Sequence, residues 1–389
     1  MRALLWVGLM GILTAPCAAQ TVTKDTLNQT VTQQMQVLVP HIGGRVQTNP
    51  LGPNAPKDAV SYTHQWPGTY WEVGFDAQEV VLKFDDADNE YRLFIDALSP
   101  VPIAQPGRTE ITVADLGAGP HQLRLEKVTE SIWILGAFEG FYIAADGKAL
   151  PAAPKPRQIE FIGDSDMTGY GLRSGTQVCT QDQVRLSSDA QAAYPALVAK
   201  QLDADYQINA ISGRGMVRNY DGSVPDNAMA KVYGSIFPDQ ADPATPYLDT
   251  EWQPQIIFVA LGNNDFFSPL HRDEVWPTHD ALIDAYITGM ANLLTTLHSR
   301  SRAATVILYW PDQGIMTAAE KARLDSDGKS LLNKTAQQIG MKPLEFIAMG
   351  NLELDALACH AHGSAADHRK KAQWLIDRIN RQPDLWAGQ

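Results

Sequence analysis

The sequence predicts a two-part chain: an all-β sandwich followed by a three-layer, doubly wound α/β domain built on a five-stranded parallel sheet. Three observations predict it. Residues 43–150 hold short strand-like runs separated by turn-formers, with no helical period between them. The run Leu150-Pro151-Ala152-Ala153-Pro154-Lys155-Pro156 then reads as a stiff connection between domains. Beyond it, five short apolar runs alternate with helical stretches, as strands buried between two helix layers do.

Composition agrees with a folded, water-facing protein: of 389 residues, 44% are hydrophobic and 19% charged. A formal net charge of −13 argues against partners that are polyanions, so neither nucleic acid nor an anionic membrane is expected.

Taken in order, residues 1–19 have the pattern of an export signal. Arg2 is the charged start, Leu4 to Leu13 the apolar stretch, and Cys17-Ala18-Ala19 the small-residue cleavage site. A lipid anchor on Cys17 is the lesser alternative. No later run approaches the roughly 20 apolar residues of a spanning helix, so an exported protein is expected, periplasmic or secreted. Residues 20–42 read as a polar tail or a first surface strand. Within 43–150, strands are expected at Tyr70–Phe75, Glu79–Phe84, Glu90–Asp96 and His121–Val128. This part shows no catalytic cluster.

After the 151–157 connection, residues 158–389 form the second domain. Its strands are expected at Gln158–Ile162, Tyr206–Ile211, Gln255–Leu261, Ala304–Trp310 and Leu344–Ala348. Helices are expected at Ala190–Leu202, His279–His298, Thr317–Ile339 and Ser364–Ile379. Thr317 with Glu320, and Ser364 with Asp367, have capping-box spacing.

Four polar segments fall at the carboxyl edge of this sheet, where ligands bind in open α/β folds. They are Gly163-Asp164-Ser165, Ser212-Gly213-Arg214-Gly215, Gly262-Asn263-Asn264-Asp265 and Cys359-His360-Ala361-His362-Gly363-Ser364. Each alone has a plain reading as a turn or a helix cap. Cys179 and Cys359 remain once a signal carrying Cys17 is removed, and in an exported chain they favour a disulfide over two separate buried thiols.

In order, the four segments resemble the SGNH (GDSL-like) hydrolase superfamily. The sandwich adds Gly44-Arg45, Trp66-Pro67-Gly68, Gly119-Pro120-His121 with Lys127, and Phe138-Glu139-Gly140-Phe141. Together these are similar to carbohydrate esterases of family two, acetyl esterases of plant-cell-wall polysaccharides with a jelly-roll sandwich before a flavodoxin-like hydrolase domain.

The resemblance implies Ser165 as nucleophile, His362 as general base and acid, and Gly213 and Asn264 as oxyanion donors beside the Ser165 N–H. Asp164 braces the serine turn and Asp265 its loop. The substrate implied is an acetylated polysaccharide or oligosaccharide such as xylan or glucomannan. A general short-chain esterase, thioesterase or lipase is one alternative. A carbohydrate-binding protein with a decayed hydrolase half is another.

One position departs from the pattern. Relatives with a full triad carry an aspartate two residues before the histidine, and here that residue is His360. A Ser–His dyad is expected, with a main-chain carbonyl orienting the histidine as in some relatives, or with Asp355 folding back. Asp367 reads as a helix-start carboxylate. A Cys179–Cys359 bridge would tie the serine loop to the histidine loop and position His362 in place of the missing carboxylate.

His360, His362 and His368 with Asp367 offer a His-x-His metal reading. The remaining histidines supply no completing ligand, so no metal and no cofactor is expected, and His368 is expected on the surface. Tyr170 and Phe266 are the candidates for stacking on a sugar.

Overall fold

The computed structural model describes residues 20–131, 134–239, 245–311, 314–350 and 352–386. The export signal expected at 1–19 lies outside the described residues. Among those described, thirteen strands build the sandwich. They are β1 (Thr21–Asp25), β2 (Gln36–Leu38), β3 (His41–Gly43), β4 (Val46–Pro50), β5 (Val60–His64), β6 (Tyr70–Asp76), β7 (Val80–Asp86), β8 (Glu90–Ile95), β9 (Val101–Ala104), β10 (Gly107–Ala114), β11 (Pro120–Lys127), β12 (Gly136–Ile143) and β13 (Lys148–Leu150).

One antiparallel sheet runs β1-β10-β7-β12-β5-β4, with β2 also on β12; the other runs β13-β6-β11-β8-β9, with β3 also on β6. Inward side chains alternate with outward ones, and Trp71, Phe75, Phe84, Leu93, Phe138 and Phe141 fill the space between the sheets. Of the two readings of residues 20–42, the surface strand is the one seen and the tail is not: they supply β1, β2 and the start of β3, and the exposed polar β1 lies on the edge of β10. Its polarity is what a solvated edge strand carries.

The second half holds strands β14 (Arg157–Gly163), β15 (Ala204–Ala210), β16 (Ile256–Ala260), β17 (Thr305–Tyr309) and β18 (Glu345–Ile347) in one parallel sheet. Their order is β15-β14-β16-β17-β18, so the winding reverses between β14 and β16. That reversal opens the crevice in which such folds bind ligands.

The helices are α1 (Ser165–Thr168), α2 (Gln181–Ser187), α3 (Tyr194–Gln201), α4 (Met229–Val232), α5 (Asn263–Phe266), α6 (His279–Arg300), α7 (Ala318–Arg323), α8 (Lys329–Ile339) and α9 (Ala365–Asn380). Apolar faces of α3 and α9 cover one side of the sheet, and those of α6 and α8 the other. The helix expected from 190 begins only at Tyr194, with Pro195 in its first turn, where a missing N–H leaves no bond unmade. The helix expected over 317–339 is interrupted by a π-turn at Leu324–Gly328. There Asp325 accepts a hydrogen bond from the Trp310 indole at 2.7 Å. Both expected capping boxes form, at Thr317 and at Ser364.

Sandwich and hydrolase halves share a buried polar seam. Arg45, fully buried, pairs with Glu160 of β14 at 3.1 Å. Its guanidinium lies 4.7 Å and 4.4 Å from the rings of Tyr233 and Tyr247. Glu160 also accepts from Asn209 and the Tyr233 hydroxyl, each at 2.7 Å. Trp66 enters the hydrolase core and donates its indole N–H to the Ser235 carbonyl at 3.1 Å. A Cβ on Gly68 would stand 2.6 Å from the Ile208 side chain, so glycine is what allows this close approach.

Removing one member of a buried pair strands the other charge. Arg45→Ala is therefore expected to destabilise the chain by about 3–5 kcal/mol in chemical denaturation. A change below about 1 kcal/mol would mean that the pair behaves like an exposed one.

Candidate active site

The apolar strand β14 ends at Gly163, and Asp164 caps the short helix α1 by accepting the Asp166 N–H at 3.2 Å. That cap turns Ser165 up at the carboxyl edge of the sheet, half-buried and open to solvent. Its Oγ lies 2.8 Å from His362 Nε2, although 197 residues separate the two.

The other imidazole nitrogen, Nδ1, is 3.0 Å from the Cys359 carbonyl oxygen. A carbonyl only accepts, so Nδ1 carries the hydrogen and Nε2 of the neutral ring is left to accept from the serine hydroxyl. Burial lowers the His362 pKa below the ordinary histidine value, with the Asp166 charge and the carbonyl contacts pulling the other way. The ring is thus neutral near pH 7.

The loop that carries His362 is held from two sides. Cys359 is bonded to Cys179. His360 donates from Nε2 to the Cys179 carbonyl at 3.0 Å and accepts from the Tyr170 hydroxyl at Nδ1, 2.9 Å away. The residue in the expected carboxylate position therefore fastens the loop rather than addressing His362. Asp355 does not fold back: its side chain accepts the Leu357 N–H, and its own N–H is held by Asp367. Asp367 also takes the N–H groups of Ala356 and Ser364.

Two further segments close on Ser165. Gly213 has φ +76, a left-handed turn that suits glycine, and its N–H has no acceptor among the described residues. The Ser165 N–H is likewise free of one. Asn264 reaches the same corner from α5, but its amide donates to Asp164 Oδ2 at 3.1 Å and to the Arg214 carbonyl at 2.9 Å.

Beneath these groups lie two buried carboxyl groups. Burial, with Asp166 adding repulsion, pushes Asp164 up to about 7. Burial pushes Asp265 up to about 6 even though backbone N–H groups work against it, its own and three from the loop after β15. The three are the N–H groups of Met216, Val217 and Arg218, at 2.7, 2.9 and 2.9 Å. Asp265 thus ties down the loop after β15 as well as meeting its own backbone. A Cβ on Gly215 would fall 2.4 Å from the Asp265 Oδ2. Asp166 is held down to about 2, burial being outweighed by Lys371, whose Nζ is 2.6 Å away, and by nearby histidines.

The aromatic candidates divide. Tyr170 stays at the site, its ring 4.4 Å from that of His362. Phe266 does not: it is 2% exposed and packs edge-on against Tyr286 at 5.3 Å, in the hydrophobic core. Lying inside the turn of α5, it offers no face to a sugar. His368, expected on the surface, is buried against Tyr194 and accepts its N–H at 3.2 Å. Burial lowers its pKa to about 4.

His360 and His362 face different partners and do not converge on a common point. Among the described residues, the trio whose possible ligand atoms do converge is His41, Glu72 and Asp205, at the domain seam. There Glu72 already holds Arg124, and Asp205 the Tyr70 hydroxyl.

One site residue had no signal in the sequence. Glu130, in the turn after β11 of the sandwich, accepts the N–H of Ser212 at 2.7 Å and holds its hydroxyl oxygen at 2.6 Å.

Residues 43–154 match the family model "Carbohydrate esterase 2 N-terminal". The chain is 38% identical over 351 residues to an acetylxylan esterase / glucomannan deacetylase of Cellvibrio japonicus, covering 89% of its own length and 92% of the relative's. It is 32% identical over 224 residues to the cellulase/esterase CelE of Acetivibrio thermocellus, covering 55% of this chain and 25% of that one.

A solved carbohydrate esterase, described as having an active site with divergent catalytic and non-catalytic binding functions, superposes with a TM-score of 0.80. It is 36% identical over 90% of this chain and 100% of its own. A family two carbohydrate esterase from Clostridium thermocellum in complex with cellohexaose shares the fold at TM-score 0.69 and 22% identity, over 89% of this chain and all of that one. With kinship running through both halves at this level, the chain belongs to carbohydrate esterase family 2 and is a carboxylic ester hydrolase.

Proposed function

We propose that the protein is an exported serine esterase that removes O-acetyl groups from plant-cell-wall polysaccharides such as xylan or glucomannan. The observation that carries the reading is the 2.8 Å bond from Ser165 Oγ to a His362 whose other nitrogen is already committed to the Cys359 carbonyl. An alcohol is a weak nucleophile until a neighbouring base takes its proton, and this arrangement supplies the base in the right tautomer. The likeness to an acetylxylan esterase / glucomannan deacetylase supports the substrate class.

Ser165 Oγ adds to the acetyl carbonyl carbon while its proton passes to His362 Nε2. The carbonyl oxygen becomes an oxyanion, which the Ser165 and Gly213 N–H groups are free to hold. Asn264 joins them by sharing one of the amide hydrogens it now gives to Asp164 and Arg214. Collapse of the intermediate breaks the bond to the sugar oxygen, which takes the proton back from His362. Water, giving a proton to the same histidine, then adds to the acyl carbon; the bond to Ser165 Oγ breaks, acetate leaves, and Oγ takes the proton back from His362.

Three outcomes test this. Wild-type protein should release acetate from acetylated xylan or glucomannan and from a small aryl acetate, and Ser165→Ala should do neither. Aryl acetate cleavage without polysaccharide deacetylation would instead leave a general short-chain esterase. No turnover on either would leave a binding protein.

The base works only when neutral, and its pKa lies below 6.5. As pH falls, kcat/KM should therefore reach half its plateau only below pH 6.5; an acid limb with its midpoint above pH 7 would contradict this assignment.

Peptide mapping of the exported protein should find Cys179 joined to Cys359 and no free thiol at either position. The double change to alanine should lower stability by at most about 5 kcal/mol and reduce kcat, because the Cys359 carbonyl orients the base. Unchanged kcat would mean that the bridge plays no part in placing His362.

A further inference from the structure

Glu130 is presented with unusual care for a sandwich loop residue. The hydroxyls of its two neighbours, Thr129 and Ser131, both donate to Asn89 Oδ1, at 2.8 and 2.6 Å. Asn89 in turn gives its amide hydrogen and its N–H to Asp86, at 2.8 and 2.9 Å. All four residues are buried, so this network fixes the turn before any substrate arrives. From it Glu130 crosses to the other half of the protein and takes hold of Ser212, the residue before Gly213.

The contacts continue toward the nucleophile. Glu130 Oε2 lies 2.6 Å from Ser212 Oγ, which is 2.9 Å from Thr168 Oγ1, which is 3.1 Å from the main-chain oxygen of Ser165. Three contacts join four oxygens, and each needs one hydrogen. The carbonyl brings none, and the two hydroxyls bring two. Only a protonated carboxyl group can bring the third. With Glu130 ionised, Ser212 donates to it and Thr168, which also reaches Glu130, cannot fill both of its other contacts; with Glu130 protonated, all three are filled at once as Glu130 donates to Ser212, Ser212 to Thr168, and Thr168 to the Ser165 carbonyl. The other oxygen, Oε1, still accepts the Ser212 N–H at 2.7 Å.

We propose that Glu130 is a positioning residue of the esterase site, acting as a neutral carboxylic acid that locks the Ser212–Gly213 turn to the Ser165 turn. The assignment deepens the serine-esterase reading above and rests on it. Burial raises the Glu130 pKa, against the pull of its hydrogen bonds and of Lys127. The ionisable groups facing it are Lys127 from its own segment and Arg214 and Tyr170 from the hydrolase half. Arg214 also feels Asp239.

The sign of the pH effect follows from the hydrogen count. Loss of the Glu130 proton empties one link, so kcat falls as pH rises through its titration.

Glutamine is the stand-in for the acid, since its amide donates to Ser212 Oγ while its oxygen accepts the Ser212 N–H. Glu130→Gln is expected to keep kcat within about threefold of wild type and to remove the alkaline fall. Glu130→Ala is expected to lower kcat about 100-fold, the effect of misplacing a catalytic group by about 1 Å, with KM little changed.

Kinetics on the aryl acetate, with thermal melts of each variant, decide it. Glu130→Ala at wild-type kcat, Glu130→Gln as slow as Glu130→Ala, or a Glu130→Gln profile that keeps the wild-type alkaline limb would each overturn the proposal. If Glu130→Ala does not fold, the Glu130→Gln profile decides alone. Failure of the serine reading shows separately, as Ser165→Ala retaining activity.

Discussion

The pairing of Arg45 with Glu160 is the constraint on which the rest of the molecule depends. Glu160 sits in the middle of β14, the strand that delivers Ser165, and it points not into an apolar core but at the other domain. A buried carboxylate is tolerated only when its partners are complete. Arg45, Asn209 and Tyr233 converge on one of its oxygens, and the Trp252 indole approaches the other at 3.4 Å. Arg45 comes from the sandwich, the others from the hydrolase half. The strand that leads to Ser165 therefore reaches full hydrogen bonding only when the sandwich is seated.

At the opposite end of that strand, the missing carboxylate changes what the histidine partner contributes. A carbonyl oxygen fixes the tautomer and the ring plane as an aspartate does, but it is a dipole rather than a full charge and stabilises imidazolium less. Orientation then rests on how rigidly the carbonyl is held. The bond from Cys359 to Cys179 and the two hydrogen bonds of His360 supply that rigidity from a loop outside the helices and strands. Asp166 adds favourable charge at a distance, muted by its close partner Lys371. Geometry is preserved and electrostatic help is reduced.

Much of this was legible in the residues. Five apolar runs became five parallel strands, and the four polar segments came together at their carboxyl edge, because buried strands and tight polar turns leave local signatures. The failures have a common cause in contacts distant in sequence. Phe266 follows a polar motif yet turns inward, since a short helix sends neighbouring side chains to different faces. His368 sits on a helix rich in charge, and only the packing of α9 on α3 shows that it is covered. The 317–339 stretch has a helical pattern throughout, while the π-turn within it lies where Asp325 meets the Trp310 indole, a contact distant from the local pattern. Glu130 carries no motif, since its meaning lies in Ser212, 82 residues further along.

The same seam explains why the sandwich motifs and the four polar segments of the sheet edge occur together. Trp66 belongs to the hydrolase core, Gly68 lets Ile208 approach, and Lys127 is fully buried with its ammonium on the Gln65 and Trp66 carbonyls. Burial lowers its pKa to about 7. An independent sugar-binding module would need none of these, for a tethered domain joins its neighbour through a modest, wetter interface. Here the surface facing the hydrolase half is spent on buried polar contacts that neither half satisfies alone. The sandwich is better understood as a second wall of the esterase, one that closes the hydrogen bonding of β14 at Glu160 and, through Glu130, reaches the turn that carries Gly213.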